Sequence, residues 1–320
     1  MKKIILHVGY PKTGTTSFQN GLFLNLNDKI NYLGIAKAPI SEHHHFLRKA
    51  LRPWLTTKGH EGKEELNLLF NDRLSSGTNL LSEESFINSR NKPGPLIEPS
   101  EIKKLFELKC DLIEVVIVIR NQADLIYALY ANGGILDKYG NIQNNDSYID
   151  KCLNDKIYRP FFNFAGVIEK YKIIFGDSKV HVLFFEDFLF DKEKYFEEWA
   201  KILSISKERL LETMGESHLH KKQKASDGSY ILKRKIEPNK IKHVIKSIPF
   251  MHNIFSRLSV FKIVKNISLS ANKRVDKELK IKLFSDEEKH RIKKSFFQDN
   301  LMLLKVIKSN KEKLKKYNYL

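Results

Sequence analysis

The sequence predicts an α/β protein: a doubly wound parallel sheet flanked by helices, followed by a basic helical C-terminal subdomain. Three observations carry the prediction. Short apolar runs alternate with helical patterns as far as about residue 205. The runs are almost continuously apolar, as strands are when helices cover both faces of a parallel sheet. Beyond about residue 205 the strand pattern stops, and lysine-rich helical and loop segments take over. On this reading residues 1–205 form the α/β core, and residues 206–320 form a mainly helical part packed on it.

The elements follow in order. KKIILHV at 2–8 is the first strand, and NYLGI at 31–35, NLLSE at 79–83, LIEVVIVIR at 112–120 and KVHVLFFED at 179–187 are the next four. Between them, helical spacing marks 16–25, 63–74, 100–108, 124–131, 161–175 and 192–203. Strand alternating with helix is the signature of crossover connections and hence of a parallel sheet. Near the end, Ser285 and Glu288 have the spacing of a capping box, and Ile292, Phe296, Phe297 and Leu301 recur on one face of the helix that follows.

Composition limits the functional classes. Hydrophobic residues make up 42% of the chain, and no stretch reaches the ~18 uninterrupted apolar residues of a membrane span. The basic start MKKIILHV breaks at YPKTG before a signal peptide is complete, so a cytoplasmic protein is expected. Cys110 and Cys152 stand far apart with no C-x-x-C, which points to neither a disulfide framework nor a thiolate metal site. The whole formal charge of +18 lies in residues 221–320, which hold 27 Lys and Arg against 9 Asp and Glu. Such a field attracts anions: a nucleotide, a polyanionic glycan, an anionic membrane surface or nucleic acid.

The chemistry is concentrated in GYPKTGTT, directly after the first strand. Gly9 and Gly14 have the spacing of a phosphate-binding P-loop, yet Thr15 stands where that motif has its lysine and Lys12 lies inside the loop. A glycine-rich turn from strand to helix directs backbone N–H groups and the positive end of the helix dipole at one spot. Pro11 stiffens its entry, and the hydroxyls of Thr15 and Thr16 add donors. A lysine on the crest suits a leaving group just beyond a single 5′-phosphate better than a triphosphate tail.

The loop GYPKTGTTSFQ resembles the 5′-phosphosulfate loop of the sulfotransferase superfamily, whose donor is 3′-phosphoadenosine 5′-phosphosulfate (PAPS). Two further motifs agree with that resemblance. The family ends a strand in arginine within R-N-P-x-D, with a serine eight residues on, to bind the donor's 3′-phosphate; here VIVIRNQADLIYALY supplies Arg120, Asn121 and Asp124, with Ala128 in the serine's place. Family members that modify glycans often end another strand in S-x-E, whose glutamate deprotonates the acceptor. Ser82-Glu83-Glu84 matches, with Glu84 the preferred base and Glu83 the alternative. The resemblance further implies a late basic loop over the 3′-phosphate, for which Lys221, Lys222, Lys224 and Ser226 are the candidates. Lys12, Pro11, Thr13, Gly14, Thr15, Thr16, Ser17 and Arg120 would then bind the donor, with no metal required.

The implied reaction is in-line transfer of a sulfuryl group to a hydroxyl acceptor, with a carbohydrate, glycan or glycolipid favoured. The mixed apolar and basic segment 243–265 reads first as an amphipathic helix pair covering the sheet and second as a peripheral contact with the inner membrane face. Two other readings stand beside it. One is a P-loop kinase or NTPase with Glu83 or Glu84 holding Mg²⁺. The other is a nucleic-acid-binding protein using the basic third, although no helix-turn-helix, zinc finger or RNA-binding aromatic motif is present. His43 to His45, being adjacent, cannot all ligate one metal, and His7 reads either as a donor-site contact or as a buried packing residue.

Overall fold

A computed structural model describes residues 1–26, 28–34, 50–87, 97–134, 143–215, 230–232, 279–309 and 311–320. The five predicted strands all form. They are β1 (Lys2–His7), β2 (Asn31–Tyr32), β3 (Gly77–Ser82), β4 (Leu112–Ile119) and β5 (Val180–Phe184). All pair in parallel, in the order β2-β3-β1-β4-β5. β1 lies in the centre, so Ile4, Ile5 and Leu6 are fully buried, as their uninterrupted apolar sequence requires. From β1 the chain runs toward β2, whereas from β4 it runs toward β5. The β1/β4 pair is therefore the point at which an open α/β sheet forms its ligand crevice.

The helix after β1 departs from the regular helix expected over 16–25. One α-turn, α1 (Thr15–Ser17), widens into a π-helical stretch (Phe18–Leu22) and then tightens into a 3-10 turn (Phe23–Leu26). The Phe23 N–H bonds to the Phe18 carbonyl, and the two rings come within 5.8 Å of each other, at 5.3 and 6.0 Å from Trp199. The five-residue turn thus puts both phenylalanines on one aromatic cluster, which also holds Phe188, Tyr195 and Phe196.

Helices α2 (Lys63–Arg73), α3 (Pro99–Phe106) and α4 (Gln122–Leu129) follow close to the expected boundaries. After α5 (Asn145–Asn154), the helix expected over 161–175 is broken into α6 (Arg159–Phe162) and α7 (Phe164–Phe175). The Asn163 side chain accepts the Gly166 N–H and starts α7 afresh. The carbonyls around the break are taken by distant partners: Tyr10 Oη donates to Phe161 O at 2.9 Å and Gln122 Nε2 to Phe162 O at 3.3 Å. Beyond β5 come α8 (Phe185–Phe190), α9 (Lys192–Leu203) and α10 (Lys207–Gly215).

The chain divides into two compact units, residues 1–220 with 284–320, and residues 221–283. In the second, β6 (Tyr230–Leu232) pairs antiparallel with β7 (Leu279–Ile281), which corrects the expectation that strands end near residue 205. Each is only three residues long, too short to stand out from the sequence around it. In the first unit, α11 (Asp286–Ile307) opens with the expected reciprocal capping box of Ser285 and Glu288, and α12 (Lys311–Lys316) follows it. The apolar face of α11 needs one correction. Ile292, Phe296 and Leu303 are buried, but Phe297 is 41% exposed, and the buried stripe passes through Asn300 instead. Asn300 exchanges amide hydrogen bonds with Gln122 at 2.8 and 3.1 Å and donates to the Tyr319 carbonyl at 2.8 Å.

Candidate active site

The loop after β1 is continuous with the sheet. Val8 and Tyr10 donate their N–H groups to Val116 and Val118 at 3.0 and 3.1 Å, prolonging the β1/β4 pairing to the loop's foot. Tyr10 is wholly buried between Phe161 and Phe164, so the foot is rigid. Lys12 and Gly14 both adopt left-handed backbone, with φ of 68° and 79°. Alternation of left-handed and ordinary residues turns successive N–H groups into one concavity, the nest that binds anions. For Lys12 the left-handed conformation costs about 1–2 kcal/mol. It is retained because both sides of the crest are tied down. Thr13 Oγ1 donates to the Tyr10 carbonyl at 2.5 Å, and Arg120 Nη1 donates to the Lys12 carbonyl at 3.1 Å.

The loop and the arginine, 108 positions apart in sequence, therefore meet at the β1/β4 crevice. Gly14 caps α1 without a side-chain hydrogen bond to its first-turn amides. Among the described residues, Arg120 Nε is buried and has no hydrogen-bond partner. A buried guanidinium donor left unpaired costs free energy that an anion beside it would recover. Donors of this kind, together with the nest, fit nucleotide phosphates. Phe185, the first residue of α8, completes this side: its ring lies 5.2 Å from Arg120 Cζ, and a Cβ added at Gly14 would stand 3.1 Å from it.

Pro11, Thr13 and Thr15 are buried in the loop, whereas Lys12, Thr16 and Ser17 are half-buried. The acidic candidates sit on the neighbouring strand. The Glu83 N–H bonds to the His7 carbonyl at 3.0 Å, which sets the Ser82-Glu83-Glu84 end of β3 beside the start of the loop. Glu83 Oε1 accepts the Ser85 N–H at 2.8 Å and so caps the short 3-10 turn Glu84–Phe86. Both glutamates are half-buried. Lys221, Lys222, Lys224 and Ser226, like His43 to His45 and the segment 243–265, lie outside the described residues. Ala128, which stands in the serine's place of the arginine motif and brings no hydroxyl there, lies within α4.

Two buried groups hold these parts in place, one weighed in the sequence and one that sequence reasoning missed. Beneath the loop, His7 Nδ1 lies 2.8 Å from Ser82 Oγ, and Gln19 Nε2 donates to the same oxygen at 3.0 Å. Burial against Phe23 and Trp199 lowers the His7 pKa to about 3, so His7 stays neutral at any physiological pH. Of its two readings the packing one holds, with a link to the acidic strand end added. The second group is Glu186, whose Oε1 accepts the Asn121 N–H at 2.8 Å, one residue from Arg120. Burial pushes its acid up to about 7. The sequence signal for it was the acidic pair closing an otherwise apolar strand, at the same sheet edge as the loop.

The cysteines are inert thiols, pushed up by burial to about 11 at Cys110 and about 12 at Cys152. Among the described residues no cluster of His, Cys, Asp and Glu could hold a metal ion, and no helix is long and apolar enough to cross a membrane. Part of the late positive charge serves the fold: Arg291 pairs with Asp146 and Asp150, and Lys313 with Asp187.

Residues 2–247 match the family model described as Sulfotransferase domain. No curated protein matches the chain significantly. Among solved structures, a sulfotransferase from Alicyclobacillus acidocaldarius is 14% identical, with a TM-score of 0.43 over 81% of this chain and 98% of that one. The mouse sulfotransferase SULT7A1 complexed with PAP is 15% identical, with a TM-score of 0.37 over 67% of this chain and 63% of that one. A sulfotransferase domain from the curacin biosynthetic pathway is 10% identical, with a TM-score of 0.39 over 66% and 77% of the two chains.

Proposed function

The chain belongs to the sulfotransferase domain family, and from that premise we propose that it moves a sulfuryl group from PAPS to a hydroxyl of a carbohydrate. The observation that carries the donor assignment is the meeting of loop and arginine. Arg120 Nη1 fixes the Lys12 carbonyl at 3.1 Å while its buried Nε lacks a partner among the described residues. One guanidinium thus shapes the 5′-phosphosulfate loop and offers a donor to the 3′-phosphate.

In this reading the backbone amides of residues 12–16 and the hydroxyls of Thr15, Thr16 and Ser17 hold the 5′-phosphate. Pro11 and Thr13 keep the loop in shape. The acceptor oxygen attacks sulfur in line and the sulfur–oxygen bond to the 5′-phosphate breaks. Lys12 stabilises the charge that develops on the departing phosphate oxygen, and adenosine 3′,5′-bisphosphate leaves. Glu84 takes the acceptor's proton. Glu83 is the weaker candidate because its Oε1 is engaged by the Ser85 N–H. Lys221, Lys222, Lys224 and Ser226 remain our candidates for the basic loop over the 3′-phosphate.

A carbohydrate acceptor is favoured by the S-x-E pattern at Ser82-Glu83-Glu84, and an anionic glycan or glycolipid by the charge of residues 221–320. Calorimetry and single-turnover kinetics test the proposal together. The protein is expected to bind adenosine 3′,5′-bisphosphate far better than ATP-Mg²⁺. Lys12→Ala is expected to lower the rate of sulfuryl transfer ~100- to 1,000-fold with an unchanged unfolding midpoint. Preference for ATP-Mg²⁺, or normal turnover by Lys12→Ala, would overturn it.

A further inference from the structure

We propose that Glu186 is a positioning residue of the donor site, and that a nucleotide phosphate bound at Arg120 drives a proton from solvent onto its carboxylate. The inference rests on the PAPS reading above. Glu186 lies just past β5 and is 3% exposed. Its Oε1 accepts from the Asn121 N–H at 2.8 Å and from Asn121 Nδ2 at 3.3 Å, and Tyr319 Oη donates to its Oε2 at 3.3 Å. Asn121 is the residue that turns the chain from β4 into α4, its own side chain accepting the Asp124 N–H at 3.0 Å. The carboxylate therefore holds the peptide next to the guanidinium.

The charges facing Glu186 come from every element around it. Arg120 at the end of β4 favours its anion, and Asp124 on α4 disfavours it. Tyr319 and Tyr317 face it from the segment after α12, and Tyr195 from α9, all neutral phenols whose pKa values are raised. Its neighbour Asp187 is already paired, with Lys313 Nζ and Tyr317 Oη both at 2.6 Å. Among the described residues, Arg120 is thus the cation whose charge favours the ionised form of this buried acid. Burial holds the acid near neutral pH, poised between its two forms.

A phosphate dianion beside Arg120 offsets the charge that favours the carboxylate, so the carboxylate takes up a proton. The hydrogen bonds survive the change. Oε1 remains the acceptor for Asn121, the proton sits on Oε2, and the Tyr319 hydroxyl turns from donor to acceptor. Protonation also removes the anion that would otherwise repel the bound nucleotide, so Glu186 positions Arg120 in the free site without opposing the ligand.

Calorimetric titration of the full chain with adenosine 3′,5′-bisphosphate at pH 7, in two buffers of different ionisation enthalpy, reads the proton count. The ligand's own phosphates titrate near pH 6, so the difference between wild type and Glu186→Gln is the quantity that matters. Wild type is expected to take up about half a proton more per nucleotide at pH 7, and almost none more at pH 5.5. Difference infrared spectra of the wild-type protein, with and without nucleotide, give a second readout that does not depend on the variant's folding. A carboxylic acid C=O band that shifts on labelling of glutamate is expected to appear. Equal proton counts in the two proteins, or no such band, would overturn the inference while leaving the donor site standing. Failure of wild type to bind the nucleotide at all would overturn both.

Discussion

Protonating His7 should destabilise this protein from its centre, and the magnitude follows from the ring's surroundings. The imidazole is 2% exposed, edge-on to Phe23 and Trp199 with centroids at 5.5 and 5.4 Å, and bonded through Nδ1 to Ser82. Burial depresses its pKa from 6.5 to about 3. A depressed folded-state value means that the unfolded chain binds the proton more tightly, so stability present above pH 6.5 is lost as the pH falls toward 3. By pH 4.5, two units below the unfolded value, the loss from this one group is about 3 kcal/mol. Urea unfolding, followed by the fluorescence of the buried Trp54 and Trp199, would measure it at pH 7.5, 5.5 and 4.5 for wild type and His7→Gln. Other titrating groups act on both proteins and cancel in the difference. The advantage of wild type over the variant should shrink by about 3 kcal/mol from pH 7.5 to 4.5. A difference that stays constant would refute the buried neutral imidazole.

Two further outcomes are expected. Glu186 works in the opposite direction: its folded value is raised to about 7 from 4.5, so its stability contribution is complete below pH 4.5 and is lost as the pH rises through 7. Thermal unfolding of wild type should fall relative to Glu186→Gln between pH 5 and 8, by about 3 kcal/mol at most. Gly9→Ala brings a Cβ to 2.9 Å from His7 Nε2 and 3.5 Å from Thr13 Oγ1. It is expected to cost about 1–3 kcal/mol in urea unfolding and to weaken nucleotide binding measured by calorimetry.

The sheet was legible because its strands are buried on both faces, and burial of that kind writes itself into sequence as runs such as Ile4–Leu6 or Val115–Ile119. The loop was legible because its glycines perform a local task. What escaped depends on distant partners. The π-helical turn at Phe18 exists because two rings reach Trp199, some 180 positions away, and nothing in SFQNGLF alone widens a helix. The break at Asn163 is stabilised by Tyr10 and Gln122. Phe297 fits the apolar period of α11 but lies outside the buried face, because Asn300 turns inward to meet Gln122 and Tyr319. Glu186 looked like a polar strand end until the sheet order put β5 beside β4.

The displaced lysine of the loop now has a physical account. In a nucleotide triphosphate loop the position after the second glycine carries the cation, but here Thr15 at that position is 2% exposed, with its Oγ1 3.5 Å from Thr13 Oγ1. An ammonium there would be buried with too few partners, a cost of several kcal/mol. The crest is more open, and Lys12 occupies it in left-handed backbone, half-buried, with its carbonyl held by Arg120. That single hydrogen bond makes the loop's shape depend on the arginine. On the proposed donor site, Arg120→Ala is therefore expected to weaken calorimetric binding of adenosine 3′,5′-bisphosphate and of adenosine 5′-phosphosulfate alike, and Arg120→Lys, which keeps the charge without the fork of donors, separates charge from shape.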